Sequence, residues 1–375
     1  MKDNLDEMNQ RGIDTPVLLG GAALTRGYVE EDLRELYDGT VFYCKDAFEG
    51  LRVLDQVMTA QRAGEDLPAE LVEPRTRATP KRPRKESQPP ATDDQGRPRS
   101  QVAVLDEQDV PEPPFWGTKV VRGISLDDVW PLLNEVALFR NQWGFGPGGR
   151  SPQEYQAFLD AEARPVLREW IARAKAEQLL TPEVVYGYLP ANGDGDDLVI
   201  WDPEAPGRVE AARLTFPRQD RGRWLSIPDF FAPVGSGVID VVPAHCVTVG
   251  RRISEVAQEL FADDRYQDYL FAHGFGVEMA EALAELWHKR IREELGIDGE
   301  DGDTPKDLFR QGYRGSRYSF GYAACPDLEM QEVLDDLLGF ASIGVEVTEE
   351  FMLNPEQSTS AIVCHHPDAK YFNAR

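Results

Sequence analysis

The chain has 375 residues, 41% of them hydrophobic, and a formal net charge of −26. That length exceeds one typical domain and the apolar fraction suffices for a sizeable core, while the acidity argues against nucleic acid as a partner. No run of about 18 apolar residues is present to cross a membrane. The first residues, M-K-D-N-L-D-E-M, lack the apolar centre of a signal peptide. Cys44, Cys246, Cys325 and Cys364 show no C-x-x-C spacing, so the expectation is a reduced, cytoplasmic chain without disulfides or a zinc knuckle.

Residues 3–11 have the character of a helix that begins abruptly. P-V-L-L-G-G (16–21) predicts a buried parallel strand, and Tyr28, Leu33, Leu36 and Tyr37 fall near helical spacing before Gly39. T-V-F-Y-C (40–44) predicts a second strand, and a helix is expected from about Phe48 to Ala60. The α–β–α–β–α order is that of the latter half of a doubly wound, Rossmann-like sheet, with Gly20 and Gly21 at the carboxyl end of a strand, where such folds bind ligands. Two strands are too few for a stable open sheet, so the rest must come from elsewhere. Residues 63–112 are rich in Pro, Arg and Lys and poor in apolar side chains, which predicts a flexible linker after a first unit of residues 1–62.

From Pro113 to the end the composition is globular. P-P-F-W-G-T-K-V-V predicts an extended start, and Leu126, Val129, Leu133 and Val136 predict one amphipathic helix over 126–140. Q-W-G-F-G-P-G-G-R is Gly-rich but lacks the G-K-[ST] of a P-loop. Ser151-Pro152 supplies a cap and first-turn pair for a helical region to Leu180, kinked or split near Pro165. Residues 184–190, 198–202 and 211–216 predict antiparallel strands, the first two joined by a turn at N-G-D-G. That turn is no calcium loop, because position six is not Gly and position twelve is Pro203. D-V-V-P-A-H-C-V-T-V-G predicts a strand in which His245 and Cys246 face opposite ways. Helices are expected at 253–262 and 276–295. The second carries an apolar stripe of Ala280, Leu283, Ala284, Trp287 and Ile291, with His288, Lys289 and Arg290 on a solvated face. A further helix is expected over Met330–Ala341, then strands at V-E-V-T-E-E-F and A-I-V-C-H-H. In C-H-H, packing and hydrogen bonding are favoured over metal binding.

One stretch stands apart: Y-R-G-S-R-Y-S-F-G-Y-A-A-C-P-D, Tyr313 to Asp327. Its glycines and Pro326 predict an irregular loop that displays Arg314, Arg317, Tyr318, Phe320 and Tyr322. An arginine fork among flat rings suits a ligand with a carboxylate and an aromatic or cationic part; aromatics folded into the core are the equally weighted alternative.

This loop, the helix A-E-A-L-A-E-L-W-H-K-R-I-R before it and the terminal H-P-D-A-K-Y-F occur in an order that resembles the activation domain of cobalamin-dependent methionine synthases, over about residues 113–375. P-V-L-L-G-G-A-A-L-T and K-D-A-F are similar to the end of that family's cobalamin-binding domain. The resemblance implies an α+β activation domain with a central antiparallel sheet and flanking helices, preceded by the partial α/β segment and the linker. It implies a methyltransferase function, reactivation: S-adenosylmethionine supplies a methyl group and a flavodoxin-type donor an electron, and cobalamin returns to methylcobalamin. It further implies that Arg317 binds the ligand carboxylate and that Ser319, Gly321 and Tyr322 line the adenosyl site. Tyr371 and Phe372 would close the pocket, and Asp128, with Glu135 as the fallback, would take the ammonium. Ala47 would touch cobalamin beside Gly20 and Gly21, and Arg314 is left a structural role.

The sequence departs from the family pattern where Tyr318, Phe320 and Ala323 replace prolines, which predicts a less rigid, more aromatic loop. It has no D-x-H-x-x-G for cobalt ligation, no Ser/Thr-rich lower-base loop and no zinc-binding Cys cluster. A fragment of a longer enzyme or one subunit of a split one is therefore expected, unable to turn over alone. The alternative is a non-catalytic S-adenosylmethionine-binding subunit that gates a separate corrinoid protein. For an acidic donor, a basic docking patch is expected at Lys289, Arg290, Arg292, Arg251 and Arg252.

Overall fold

The structure, a computed structural model, describes residues 2–20, 26–45, 47–63, 67, 71, 91–92 and 96–374. Two compact units are present, residues 1–85 and 86–375.

The first unit runs from α1 (Lys2–Gln10) to β1 (Val17–Gly20), α2 (Arg34–Leu36, entered through a π turn at Tyr28–Leu33), β2 (Val41–Cys44) and α3 (Ala47–Ala63). β1 and β2 pair in parallel, Val17 opposite Val41 and Gly20 opposite Cys44. Leu5, Val29, Leu33, Tyr37 and Val41 cover one face of this pair. Phe42, Cys44, Val53 and Val57 cover the other, as expected of parallel strands buried on both sides.

In the second unit, β3 (Ala91–Thr92) and β4 (Pro98–Arg99) form a short hairpin, and β5 (Gly117–Val121) opens the main sheet. α4 (Pro152–Phe158) and α5 (Arg164–Ala176) are joined by a π turn, with Pro165 in the first turn of α5. Next come β6 (Glu183–Asp194), β7 (Asp197–Trp201), β8 (Glu210–Thr215), β9 (Asp240–Thr248), α6 (Arg252–Ala262) and α7 (Tyr266–Glu294). β10 (Ser316–Ser319), α8 (Met330–Leu338), β11 (Glu346–Val347), β12 (Leu353–Asn354) and β13 (Ser358–Cys364) complete it. The seven-stranded sheet has the order β10-β13-β9-β6-β7-β8, with β5 also on β6, and every pairing in it is antiparallel. This is the α+β architecture expected.

Strand alternation divides the core in two. Val184, Tyr186, Tyr188, Val241, Val247 and Val363 face α5, α6 and α7. Val185, Leu189, Val242, Ala244, Cys246, Ile362 and Cys364 face α8 and the segment around Phe230.

Several elements differ from expectation. The helix predicted over 126–140 is broken into short turns, because Pro131 cannot continue it and Asn134 caps a new start by accepting from the Val136 and Ala137 amides. Val136, placed on its apolar face, is 60% exposed. α7 begins ten residues earlier than its stripe suggested. Gly274 and Gly276 hid that start, and both sit where a Cβ would collide with Gln142 or Gln357, so they serve close packing rather than a turn. α8 stops at Gly339, whose φ of +72° ends the helix. The strand expected at V-E-V-T-E-E-F shrinks to Glu346–Val347, and β13 ends before His365. Residues 96–112, assigned to the linker by composition, carry defined contacts. Arg99 pairs with Asp196 at 2.7 Å, the Ala103 carbonyl lies 2.9 Å from His366 Nε2, and Arg314 donates to the Asp109 carbonyl.

Candidate functional site

The stretch Tyr313 to Asp327 is not a loop throughout. Ser316–Ser319 forms β10, the edge of the sheet, with Arg317 opposite Val363 and Ser319 opposite Ala361. Gly315 turns the chain into it at φ +84°, and a Cβ there would lie 2.2 Å from the Cys364 carbonyl oxygen. Alternation then aims Arg317 and Ser319 at the α7 side, while Tyr318 enters the opposite core. Core packing, one of the two readings of this stretch, thus holds for Tyr318, while Arg317 and Ser319 stand on the opposite face of β10.

Opposite Arg317, α7 presents Glu278, Glu281 and Glu285 at i, i+3 and i+7, which is one helical face. These residues, with Leu132, Asn134, Leu308, Gln311 and Tyr313, enclose a cleft of about 350 Å³. Arg317 Nη2 donates to Glu281 Oε2 at 3.2 Å and lies 3.9 Å from Glu285 Oε2. Arg317 Nη1 and Glu285 Oε1 are buried without a hydrogen-bond partner among the described residues. Burial opposes the guanidinium's charge, but Glu281 and Glu285 outweigh it and hold its pKa above the usual value. Burial pushes the Glu285 carboxyl up, against the pull of Arg317 and Arg292. The Glu278 carboxyl is raised to about 7 by burial and the charge of Glu281, despite the 3.3 Å hydrogen bond from Gln142.

Behind the cleft is a polar layer. Arg292 is fully buried and grips Asp301 through Nε and Nη2 at 2.8 and 2.7 Å. Its guanidinium also stands 4.2 Å from the Tyr313 ring centroid. His288, expected on a solvated face, is fully buried edge-on to Tyr313. Burial pushes the pKa of His288 well below 6.5 and that of His245 down to about 3, so both imidazoles are neutral. His365, with its Nε2 2.6 Å from Asp240 Oδ1, and His366 are both hydrogen-bonded inside the fold, as expected of packing histidines. No cluster of three metal-ligating side chains occurs among the described residues.

Other residues singled out from the sequence fall as follows. Gly321 has φ +85° and donates its N–H to the Cys325 carbonyl, shaping the turn that presents Tyr322. Tyr322 is 42% exposed, and burial together with the charge of Glu281 raises the pKa of its hydroxyl. Tyr371 is exposed and donates its backbone N–H to Gln311, a cleft residue, at 3.0 Å. Lys370 fixes the same tail through the Gln311 and Tyr313 carbonyls. Phe372 is buried against Tyr318 and Phe230, on the far side of the sheet from Arg317. Asp128 is exposed in the first turn of a short helix, and Glu135 is paired with Arg164 at 3.0 Å. Arg314 donates to the His365 carbonyl, a structural role.

Of the expected docking patch, Arg292 is buried. Lys289, Arg251 and Arg252 are each paired with acids, and Arg290 lies over Trp287. In the first unit, Gly20 closes β1, where a Cβ would meet the Cys44 carbonyl at 2.4 Å. Ala47 opens α3 directly beyond β2. Both positions lie at the carboxyl edge of the parallel pair. Gly21 lies outside the described residues.

The three α7 carboxylates lie beside the apolar stripe and are not among the candidate site residues drawn from the sequence. Their i, i+3, i+7 spacing in E-M-A-E-A-L-A-E was the available signal.

With a seven-stranded antiparallel sheet, flanking helices and a cleft at its β10 edge, the chain belongs to the vitamin B12-dependent methionine synthase activation domains: the family profile, described as vitamin B12 dependent methionine synthase, activation domain, matches residues 152–375. Among curated proteins, the chain is 45% identical over 395 aligned positions to methionine synthase of Mycobacterium tuberculosis, and 44% identical over 400 to that of Mycobacterium leprae. All of the chain is covered in both, but it spans only 33% of either relative's length. Among solved structures it is similar to the MetH reactivation domain bound to AdoHcy, with a TM-score of 0.65, 26% identity, and 72% of this chain and 86% of that one covered.

Proposed function

We propose that this chain is the reactivation module of a cobalamin-dependent methionine synthase and binds S-adenosylmethionine in the Arg317 cleft. The observation that carries the reading is the pairing of an arginine that has an unpartnered nitrogen with a row of carboxylates. An amino-acid zwitterion needs that combination: a guanidinium fork for its carboxylate and an acid close by for its ammonium. In this reading Arg317 takes the carboxylate, and Glu281, its neighbour, takes the ammonium in place of the exposed Asp128. Ser319 shares the α7-facing side of β10, and Gly321 and Tyr322 border the adenosyl group with Tyr371. Phe372 acts through Tyr318 by fixing the strand that carries Arg317.

Cobalamin, when bound, supplies the cobalt that accepts the methyl group. Gly20 and Ala47 fit a corrinoid by position, since the carboxyl edge of a parallel sheet is where doubly wound folds take ligands. The contribution of the Arg317 cleft is to orient the sulfonium and keep the amino-acid end fixed while the methyl leaves. The remaining two-thirds of the enzyme and a flavodoxin-type electron donor are the partners in this reading. Residues 113–375 act as the ligand-binding unit, and residues 1–62 as the end of the cobalamin-binding one. The relatives of the same family and the ligand-bound neighbour support it.

Isothermal calorimetry of the chain with S-adenosylmethionine tests it. Saturable one-to-one binding is expected, and no saturable heat at millimolar ligand overturns it. A second measurement mixes the chain with a cobalamin-binding domain and a reduced flavodoxin. Loss of the cob(II)alamin absorption only when S-adenosylmethionine is present is the expected result.

A further inference from the structure

We propose that Lys370 is a positioning residue: its ammonium group latches the tail to the cleft wall at Gln311 and Tyr313 and so fixes where Tyr371 stands. The inference rests on the S-adenosylmethionine reading of the cleft and deepens it.

The tail follows the stretch that contains β10 from end to end. Before the strand, Lys370 Nζ donates to the Gln311 carbonyl at 3.2 Å and to the Tyr313 carbonyl. Within it, the Tyr318 hydroxyl donates to the Lys370 carbonyl at 2.9 Å. Beyond it, the Ala374 N–H donates to the Ala323 carbonyl at 3.2 Å. Lys370 is thus tied by its side chain to two residues that line the cleft and by its main chain to the strand that carries Arg317. Tyr371 comes next, and its N–H donates to Gln311 Oε1 at 3.0 Å.

The tail has apolar anchors of its own. Ala369, Phe372 and Ala374 are buried in the core on the Tyr318 side of the sheet. Their burial keeps the tail on the fold without the lysine. Lys370 and Tyr371 lie between these anchors, so the latch decides the path of the chain there and not whether the tail docks.

The wall that receives the latch is held in an unusual shape. Gln311 has φ +57°, a left-handed conformation that a side chain disfavours and that persists only where the surroundings impose it. It ends the helical turn at Pro305–Leu308 by donating its N–H to the Leu308 carbonyl, at a place where glycine is the relaxed choice. Glycine has no side-chain oxygen to offer the Tyr371 N–H. Gln311 therefore meets the tail twice, once through its carbonyl and once through its side chain. Tyr313 is fixed as well. Arg292 stands 4.2 Å from its ring centroid, His288 packs edge-on at 4.9 Å, and Lys370 Nζ lies 5.6 Å away. A long, flexible side chain bonded to a wall this constrained transmits its position to the next residue.

The test uses the full chain as wild type, Lys370→Met, Tyr371→Ala and the double variant. Methionine keeps an unbranched stem and removes the donors. If Tyr371 then stands in place about a tenth of the time, affinity for S-adenosylmethionine falls about tenfold. In the Tyr371→Ala background the same change is expected to alter affinity by less than about threefold, because the ring that Lys370 positions is gone. A Lys370→Met affinity within about threefold of wild type overturns the proposal, and so does a further loss above that size in the Tyr371→Ala background. Amide hydrogen exchange read by NMR needs no ligand. The wild-type Tyr371 amide is expected to exchange about a hundredfold slower than a free amide, and about tenfold faster in Lys370→Met, with Val363 of β13 unchanged. A wild-type Tyr371 amide that exchanges as freely as an unstructured peptide overturns the latch even if the variants fail to fold. If wild type binds no S-adenosylmethionine, the reading of the cleft falls, and the exchange rates alone decide the latch.

Discussion

Replacing Arg317 by alanine removes the only guanidinium that lines the cleft among the described residues. A charge-assisted hydrogen bond contributes about 1.5–3 kcal/mol, and a carboxylate held by two guanidinium nitrogens lies at the upper end of that range. Part of it is offset, because in the free protein Arg317 already donates to Glu281 at 3.2 Å and that bond is exchanged, not created. An exchange cost of about 1 kcal/mol leaves about 2 kcal/mol, or a 30-fold weaker Kd for S-adenosylmethionine. Arg317→Lys keeps the charge but loses the fork, so it should fall between wild type and Arg317→Ala. Calorimetry gives the affinities, and urea unfolding checks that each variant is folded. A loss below threefold in a folded Arg317→Ala protein refutes the assignment of the carboxylate to this residue.

Three further outcomes follow from the same geometry. Asp301→Ala leaves the fully buried Arg292 without its carboxylate and should lower unfolding stability by about 3–5 kcal/mol in urea titrations, whereas breaking an exposed, solvent-screened pair such as Lys175–Asp127 should cost far less. Gly315→Ala, which sets a Cβ against the Cys364 carbonyl at a positive φ, should destabilise the fold by more than about 2 kcal/mol and weaken ligand binding; equal stability would show that β10 can shift. His245 and His288 are neutral in the fold and have depressed pKa values, so the unfolded chain takes up their protons first as the pH falls below 6.5. Their contribution is therefore complete above that pH and lost on acidification, by up to about 1.4 kcal/mol per pH unit for each imidazole. His288→Phe should flatten the acid side of a stability-against-pH curve between about pH 6 and pH 4.5, and an unchanged limb would refute the burial argument.

The overall architecture was legible because its signals are local. Alternating Val, Tyr and Leu in β6 and the N-G-D-G turn into β7 announce antiparallel strands from neighbouring residues alone. The two parallel strands of the first unit were equally plain, as buried apolar runs that end in glycine or cysteine. What failed was local too. Pro131 and Asn134 broke a helix whose apolar spacing looked continuous, and the glycines that allow α7 to pack closely were indistinguishable from a turn. At the site, Arg317 was legible as a residue but not as a strand position. β10 has only four residues, and its pairing with β13 depends on residues far along the chain. The carboxylates on α7 belong to a helix found correctly, yet their role depends on what lies across from them. Phe372, adjacent to the exposed Tyr371, turns inward because Tyr318 offers it a ring, a contact that no spacing rule contains.

The edge position of β10 also bears on how the site comes into being. Among the described residues its only partner in the sheet is β13, and Arg317 faces Val363, 46 positions later. β13 in turn joins the sheet by pairing with β9, so it must enter between a strand made long before it and one made shortly before it. During synthesis the arginine therefore waits without a scaffold while α8 and the β11–β12 hairpin are made. Contacts of this separation close late, since the loop entropy must be met before they form. The edge that carries Arg317 is thus among the last parts of the domain to acquire structure. A chain stalled or cleaved before Ser358 would still carry the arginine and all three acids but would have no strand to hold them opposite one another.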